Sequence, residues 1–181
     1  MTIIGIDLGV HKIALACLES TSEGGRLIDA TSYEAPYSKP RDIQLHELGM
    51  VVHDWVYMHN ASSVWIEDVL VGNNHKYSLG LAETKGALLA YLAHGRLSDG
   101  IDIRTVNVGA WKKSVVGNGH ASKDDVRNYI HVTHPAYAPL CGDDQDRYDA
   151  ACIALYGRSI DERADELSAG RLVGLDGSAQ S

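Results

Sequence analysis

The sequence predicts an α/β domain built on a mixed five-stranded sheet flanked by helices. Three observations predict it. Three strand-like segments follow one another near the N-terminus, separated by short turns. Beyond them, helical and strand-like apolar patterns alternate. At 181 residues and 45% hydrophobic content, the chain suits one domain with a substantial core. Strands joined by short turns run antiparallel, and strands joined through helices run parallel. The first three strands should therefore form a meander, and the last two should lie parallel to the first.

The elements follow in order. Residues 2–8 and 12–19 read as strands around a Gly9-Val10-His11 turn. A third strand is expected near 26–35, after Glu23-Gly24-Gly25, and Pro36 and Pro40 bracket a loop. Leu45, Leu48, Val52, Trp55 and Val56 recur at helical spacing. Ser63–Asp68 reads as strand four, and 72–75 as a loop. A second helix is expected over Ser78–Ala93. Its small residues Gly80, Ala82, Gly86, Ala87 and Ala90 allow close approach, either to the sheet or to a second subunit. Strand five is expected over Ile101–Val108, with a break at Gly117-Asn118-Gly119. Ser122, with Asp125 three residues later, has the form of a capping box. The last helix should open at Asp143 or Asp144 and end near Gly157. This gives a domain over 1–158 and an acidic, Gly/Ser-containing tail over 159–181, with fraying expected after Gly170.

Composition narrows the class. A net charge of −8 argues against a nonspecific nucleic-acid coat. The charge is uneven, however: the tail holds five acids against two arginines, whereas 107–134 holds Lys112, Lys113, Lys123 and Arg127 against Asp124 and Asp125. No apolar run approaches the roughly 20 residues that span a bilayer, and no signal peptide is expected. Cys17, Cys141 and Cys152 lack metal-ligand spacing and fit reduced thiols in a cytoplasmic protein, with Cys152 in the core.

Four acids carry the chemistry. Asp7 ends the run Ile3-Ile4-Gly5-Ile6-Asp7, and Glu67 ends Val64-Trp65-Ile66-Glu67. Burying a carboxylate in an apolar strand is costly unless something pairs with it. Asp7 shares a face with Ile3 and Gly5. If strands one and four are neighbours, Asp7 and Glu67 meet at the carboxyl end of the sheet, where sites in open α/β sheets form. Asp146 and Asp149, three apart, project from one helix face. Taken singly, each has a plainer reading: a turn acid, an edge charge, or a first-turn acid favoured by the helix dipole. Together they suit divalent cations with oxygen preference, Mg²⁺ or Mn²⁺, and four acids can hold two such ions. Asp143 and Asp144 are rival ligands, read here as helix caps. His120, His131 and His134 lack zinc-site companions.

The segments Ile4-Gly5-Ile6-Asp7-Leu8-Gly9, Ile66-Glu67-Asp68-Val69, Lys112 through Lys123, and Asp146-Arg147-Tyr148-Asp149-Ala150-Ala151 resemble the RuvC Holliday junction resolvases. The resemblance runs from residue 3 to about 157, and Val115-Val116-Gly117-Asn118-Gly119-His120-Ala121-Ser122-Lys123 is its most specific part. It implies a ribonuclease H-like fold, a homodimer and metal-dependent cutting of four-way DNA junctions. It also makes a branch-migration helicase a candidate partner. By motif position Asp7, Glu67, Asp146 and Asp149 would be the catalytic metal ligands, with about two Mg²⁺ or Mn²⁺ ions per site. Lys112, Lys113 and Lys123 would face DNA phosphates, with Lys123 also at the active site, and His120 in the glycine loop would approach DNA.

Two departures stand out. Leu8 replaces the family's common proline. Bacterial members also carry a phenylalanine after the strand-four glutamate, whereas this chain has no Phe and places Leu70 there. Tyr77 or His75 is the candidate replacement. Such divergence fits a phage-type member, and phage relatives also cut other branched DNA. The rival readings are a flap or fork nuclease of the same fold, an inactive junction-binding scaffold, and an actin-like ATPase fragment. The last would need a second domain that 181 residues do not accommodate.

Overall fold

A computed structural model describes residues 1–22, 24–69 and 74–175. Glu23, Leu70, the Gly72-Asn73 part of the expected loop and the end of the tail lie outside the described residues. Five strands form one sheet: β1 (Thr2–Leu8), β2 (Lys12–Thr21), β3 (Gly24–Glu34), β4 (Ser63–Glu67) and β5 (Asp102–Val106). The order is β3-β2-β1-β4-β5. β1 pairs antiparallel with β2 and parallel with β4, which pairs parallel with β5. The expected meander and the two parallel additions are both present.

Helices cover both faces. α1 (Arg41–Met58) and α2 (His75–Asp99) lie on one, over Ile4, Ile6, Leu15, Val64 and Ile66. On the other, α3 (Val108–Val115), α4 (Lys123–Thr133), the short α5 (Ala138–Cys141) and α6 (Gln145–Leu175) pack over Ile3, Ala14, Ala16 and Trp65. The split follows from strand alternation: Ile4 and Ile6 face one layer, and Ile3 and Gly5 the other. All three cysteines are buried and unpaired. Among the described residues no helix is long and apolar enough to cross a membrane.

α6 crosses β1 at very close range. A Cβ on Gly5 would fall 2.2 Å from the Ala150 carbonyl oxygen and 2.5 Å from the Ala154 nitrogen. Only glycine allows the strand and helix backbones to meet there. Because Gly5 and Asp7 share a face, this crossing sets the helix start above Asp7.

Several boundaries differ from expectation, α2 at both ends, since it runs on to Asp99. β5 stops at Val106, and Asn107 caps α3 by accepting the Gly109 N–H at 2.9 Å. α2 begins earlier than Ser78, where the Asn74 side chain accepts the Tyr77 N–H. α6 does not end near Gly157. There the missing side chain makes room for the Trp65 indole, which a Cβ would meet at 2.3 Å. The helix continues through Asp161, which accepts from Ser63 Oγ at 2.7 Å and Arg104 Nη1 at 3.2 Å.

Candidate active site

The four acids converge on one cleft at the carboxyl end of β1 and β4. Ile6 and Ile66 are paired across the two strands, and Asp7 and Glu67 follow them on the α6 face. α6 brings Asp146 and Asp149 from above. The cleft measures about 540 Å³ and is lined by all four acids together with Lys12, Lys112 and Lys123, with Tyr37 and Tyr77 on its walls.

The electrostatics of three of them mark them out. Burial raises the Asp7 carboxyl well above the ordinary range, and Glu67, Asp149 and Asp146 push it further. Asp149 is pushed up to about 6, chiefly by burial, although Lys112 and Lys123 pull against that. Burial also raises Glu67, opposed by a hydrogen bond from Trp111 Nε1 at 3.0 Å and reinforced by Asp149. Three carboxylates thus share a cleft in which their charged forms are disfavoured by low polarity and by one another. A bound cation would relieve both effects.

The donors are all carboxylate oxygens, hard ligands that suit Mg²⁺ or Mn²⁺. Among the described residues no three acids, histidines or cysteines close in as a ligand cluster. Like charges repel, and Asp146 is engaged by lysines: Oδ2 by Lys12 at 2.7 Å and Oδ1 by Lys123 at 3.4 Å. The donor chemistry and placement fit a hard divalent cation, whose binding would draw the oxygens inward.

The lysines are placed by local structure. Lys123 is the first residue of α4, set by the capping box in which Ser122 and Asp125 bond reciprocally. Gln145 Nε2 donates to the Lys123 carbonyl at 3.1 Å, tying the starts of α4 and α6 together. Lys112, on α3, donates to the Ala121 carbonyl at 2.7 Å and reaches the cleft. Lys113 and His120 are exposed and outside the cleft lining. Tyr77 stands on the rim, 53% exposed, at the start of α2. His131 and His134 pack on Tyr148 and Tyr137, in keeping with a packing role.

The sequence reading missed Lys12 and Trp111. Strand alternation carried a signal for Lys12, because it shares a face with Ala14, which lies under α6. Trp111 carried none: it is fully buried, and its donor role appears only once α3 is seen against β4. Asp144 does cap α6, accepting the Asp146 N–H at 3.2 Å, and it also pairs with Lys12 at 2.8 Å.

The fold and motifs have known relatives. The family model described as "Crossover junction endodeoxyribonuclease RuvC" matches residues 3–155. The chain is 31% identical over 159 residues to the RuvC of a Bradyrhizobium species, covering 84% of this chain and 83% of that one. It is 28% identical over 155 residues to the RuvC of Ehrlichia chaffeensis, covering 86% and 94%. The structure of Thermus thermophilus RuvC in complex with a Holliday junction substrate superposes with a TM-score of 0.72 at 18% identity, over 86% of this chain and 91% of that one. The yeast mitochondrial Holliday junction resolvase Ydc2 superposes with a TM-score of 0.62 at 11% identity, over 84% and 75%. With the ribonuclease H-like sheet, the acid-lined cleft and a family match across residues 3–155, the chain belongs to the RuvC family of crossover junction endodeoxyribonucleases, the structure-selective nucleases of four-way DNA junctions.

Proposed function

We propose that this protein resolves four-way DNA junctions by metal-dependent phosphodiester hydrolysis at Asp7, Glu67, Asp146 and Asp149. One observation carries the reading: three of these acids, from two strand ends and one helix, are held in a single cleft with their charged forms disfavoured. Mg²⁺ or Mn²⁺, about two ions per site, would supply an activated water and a counter-charge for the leaving oxygen. Asp7 and Glu67 provide the rigid, sheet-borne part of the ligand set. Asp146 and Asp149 provide the helix-borne part, across the cleft. Trp111 orients Glu67 through its indole N–H. Lys112 and Lys123 sit where they can hold the backbone phosphates beside the scissile bond, with Lys113 and His120 further along the same basic stretch. Phosphate contacts of this kind make affinity fall with added salt.

A homodimer suits a substrate with two strands to cut. Ala82, Gly86 and Ala90 lie one turn apart on the exposed side of α2. Beside them is an apolar hollow of about 540 Å³ lined by Met50, His53, Asp54, Ala90 and Tyr91. We assign this face to the second subunit. The cytoplasm of a bacterium or phage-infected cell is the expected compartment, with a branch-migration helicase as a candidate partner.

The absence of phenylalanine favours a second reading, a broader nuclease of flaps and forks. Tyr77 on the cleft rim would then stack on bases at the branch point. The deciding experiment offers a labelled mobile four-way junction, a flap, a fork and a linear duplex to the purified protein with Mg²⁺, Mn²⁺ or chelator. Paired, metal-dependent nicks confined to the junction are the expected result, and Asp7→Asn should bind the junction without cutting it. Cuts spread over flaps and forks would establish the broader nuclease. A normally active Asp7→Asn would overturn the site assignment.

A further inference from the structure

Lys12 opens β2 and reaches up to the start of α6. Its ammonium lies 2.7 Å from Asp146 Oδ2 and 2.8 Å from Asp144 Oδ1. Asp144 is itself anchored. It accepts from Ser32 Oγ at 2.6 Å and from the Asp146 N–H at 3.2 Å, and Arg147 Nε stands 3.7 Å away. The lysine is therefore held by a fixed carboxylate on β3's side of the cleft, and in turn holds one oxygen of Asp146.

The other oxygen of Asp146 is in a different situation. Oδ1 meets Lys123 at 3.4 Å, and that lysine side chain is 67% exposed, against 32% for Lys12. A long contact to an exposed ammonium is weak and easily screened. The short contact to Lys12 is more shielded and shared with a second acid. A cation entering the cleft would displace Lys123 from Oδ1 before it displaced Lys12 from Oδ2.

We propose that Lys12 is a positioning residue that ties down Oδ2 of Asp146, so that this ligand offers a single oxygen to the cleft. The proposal rests on the reading of Asp146 as a metal ligand. Two consequences follow, and they have opposite signs. A fixed positive charge beside the site weakens divalent-cation binding. The same charge keeps Asp146 from turning to chelate with both oxygens, or from sharing a cation with Asp144 away from the reacting phosphate. Removing Lys12 should therefore tighten binding and slow cutting. A lysine acting by its charge alone would tighten binding when lost without slowing cutting at saturating metal, so the two changes together mark positioning.

The test uses the full chain carrying Lys12→Met. Calorimetric titration with MnCl₂ in the absence of DNA should show affinity rising about fivefold, the order expected for removing one charge near a partly exposed site. Single-turnover cutting of a four-way junction at saturating Mn²⁺ should fall about tenfold or more through lost ligand geometry. Lys12→Arg should return both values toward wild type. If Lys12→Met does not fold, Lys12→Gln removes the charge but keeps an N–H donor, and should show the same tightening with a smaller loss of rate. Weaker or unchanged Mn²⁺ binding in the charge-removing variant, with wild type binding normally, would overturn the proposal alone. A wild-type chain that neither binds Mn²⁺ nor cuts junctions would overturn the underlying site reading as well.

Discussion

Asp149 and Asp161 sit on the same helix, both buried, over opposite ends of β4. At the amino end of that strand, Asp161 is fully matched: Ser63 Oγ donates at 2.7 Å, Arg104 Nη1 at 3.2 Å, and Trp65 Nε1 stands at 3.5 Å. At the carboxyl end, Asp149 has one long contact, Gln145 Nε2 at 3.5 Å, and faces Glu67 and Asp7. The two acids are nearly equal in exposure, 8% and 7%. Burial alone therefore does not mark a site. What distinguishes the carboxyl end is unmet electrostatic demand: acids packed against acids, with the nearest cations, Lys112 and Lys123, donating instead to the Ala121 carbonyl and to Asp146. The matched acid holds the fold, and the unmatched one is the acid assigned above to the proposed metal site.

Exchanging the two acids' roles by mutation tests this contrast, and the first effect is the largest. On the proposed mechanism, Asp149→Asn should lower junction cutting about a thousandfold or more, because the proposed metal site would lose a ligand and its charge together. Its melting temperature in chelator should hold or rise, since a disfavoured buried charge has gone. Asp161→Ala should do the reverse. It takes the acceptor from Ser63 and Trp65, while Arg104 keeps its pairing with Asp102, and should cost about 2 kcal/mol of stability, discounted for the partial exposure of Arg104. Cutting per folded molecule should stay within about twofold of wild type. Thermal melts and single-turnover rates on the two variants decide it. An Asp161→Ala variant that folds normally but does not cut would erase the distinction between the two ends.

The next effect tests how the helix is aimed. Gly5→Ala would place a methyl group 2.2 Å from the Ala150 carbonyl, backbone against backbone. The helix must lift, at a cost of about 2–3 kcal/mol. Asp149 neighbours Ala150, so the lift also separates Asp149 from Asp7. Cutting should fall at least tenfold even at temperatures where the variant is folded. The control is Gly86→Ala, where an added Cβ meets nothing within 4 Å. It should fold as wild type, and weakened self-association together with loss of paired cutting would report on the α2 face.

Much of this arrangement was legible in the sequence, for physical reasons that differ between residues. Asp7 and Glu67 stood out because each ends an apolar run, where a charge is unexpected unless it is used. Asp146 and Asp149 stood out by helical spacing, and Ser122 with Asp125 by the capping box that places Lys123. The antiparallel meander and the parallel direction of the last two strands followed from which connections were short and which passed through helices, whereas the adjacency of β1 and β4 within the β3-β2-β1-β4-β5 order came only from the structure. What was hidden depended on tertiary contact. Val106-Asn107-Val108 reads as continuous strand, yet Asn107 is a cap because its side chain accepts the Gly109 N–H. Gly157 reads as a helix end, yet it is the gap into which Trp65 fits. Lys12 reads as an ordinary strand-edge charge until α6 is laid above it.

The smallest effect is the most direct gauge of the unmet demand at Asp149. Its carboxyl is raised to about 6 in the folded chain against an ordinary value of 3.8. The folded state thus binds this proton more tightly than the unfolded state does. Stability in chelator should rise as the pH falls through 6, with the gain complete below the unfolded value. Between pH 7.5 and 5 the rise from this one group should be about 1 kcal/mol, read as a higher melting temperature. Asp149→Asn removes the titrating group and should flatten that part of the profile, leaving the contributions of Asp7 and Glu67. Because a metal and a proton compete for the same oxygens, the rise in melting temperature on adding Mn²⁺ should be larger at pH 7.5 than at 5.5. Asp161→Asn, with no comparable competition at its end of β4, should leave the pH dependence of the Mn²⁺ effect unchanged. A profile that loses stability on acidification through 6, with Asp149 present and metal absent, would mean that the carboxyl end is matched after all, and the contrast between the two ends would fail.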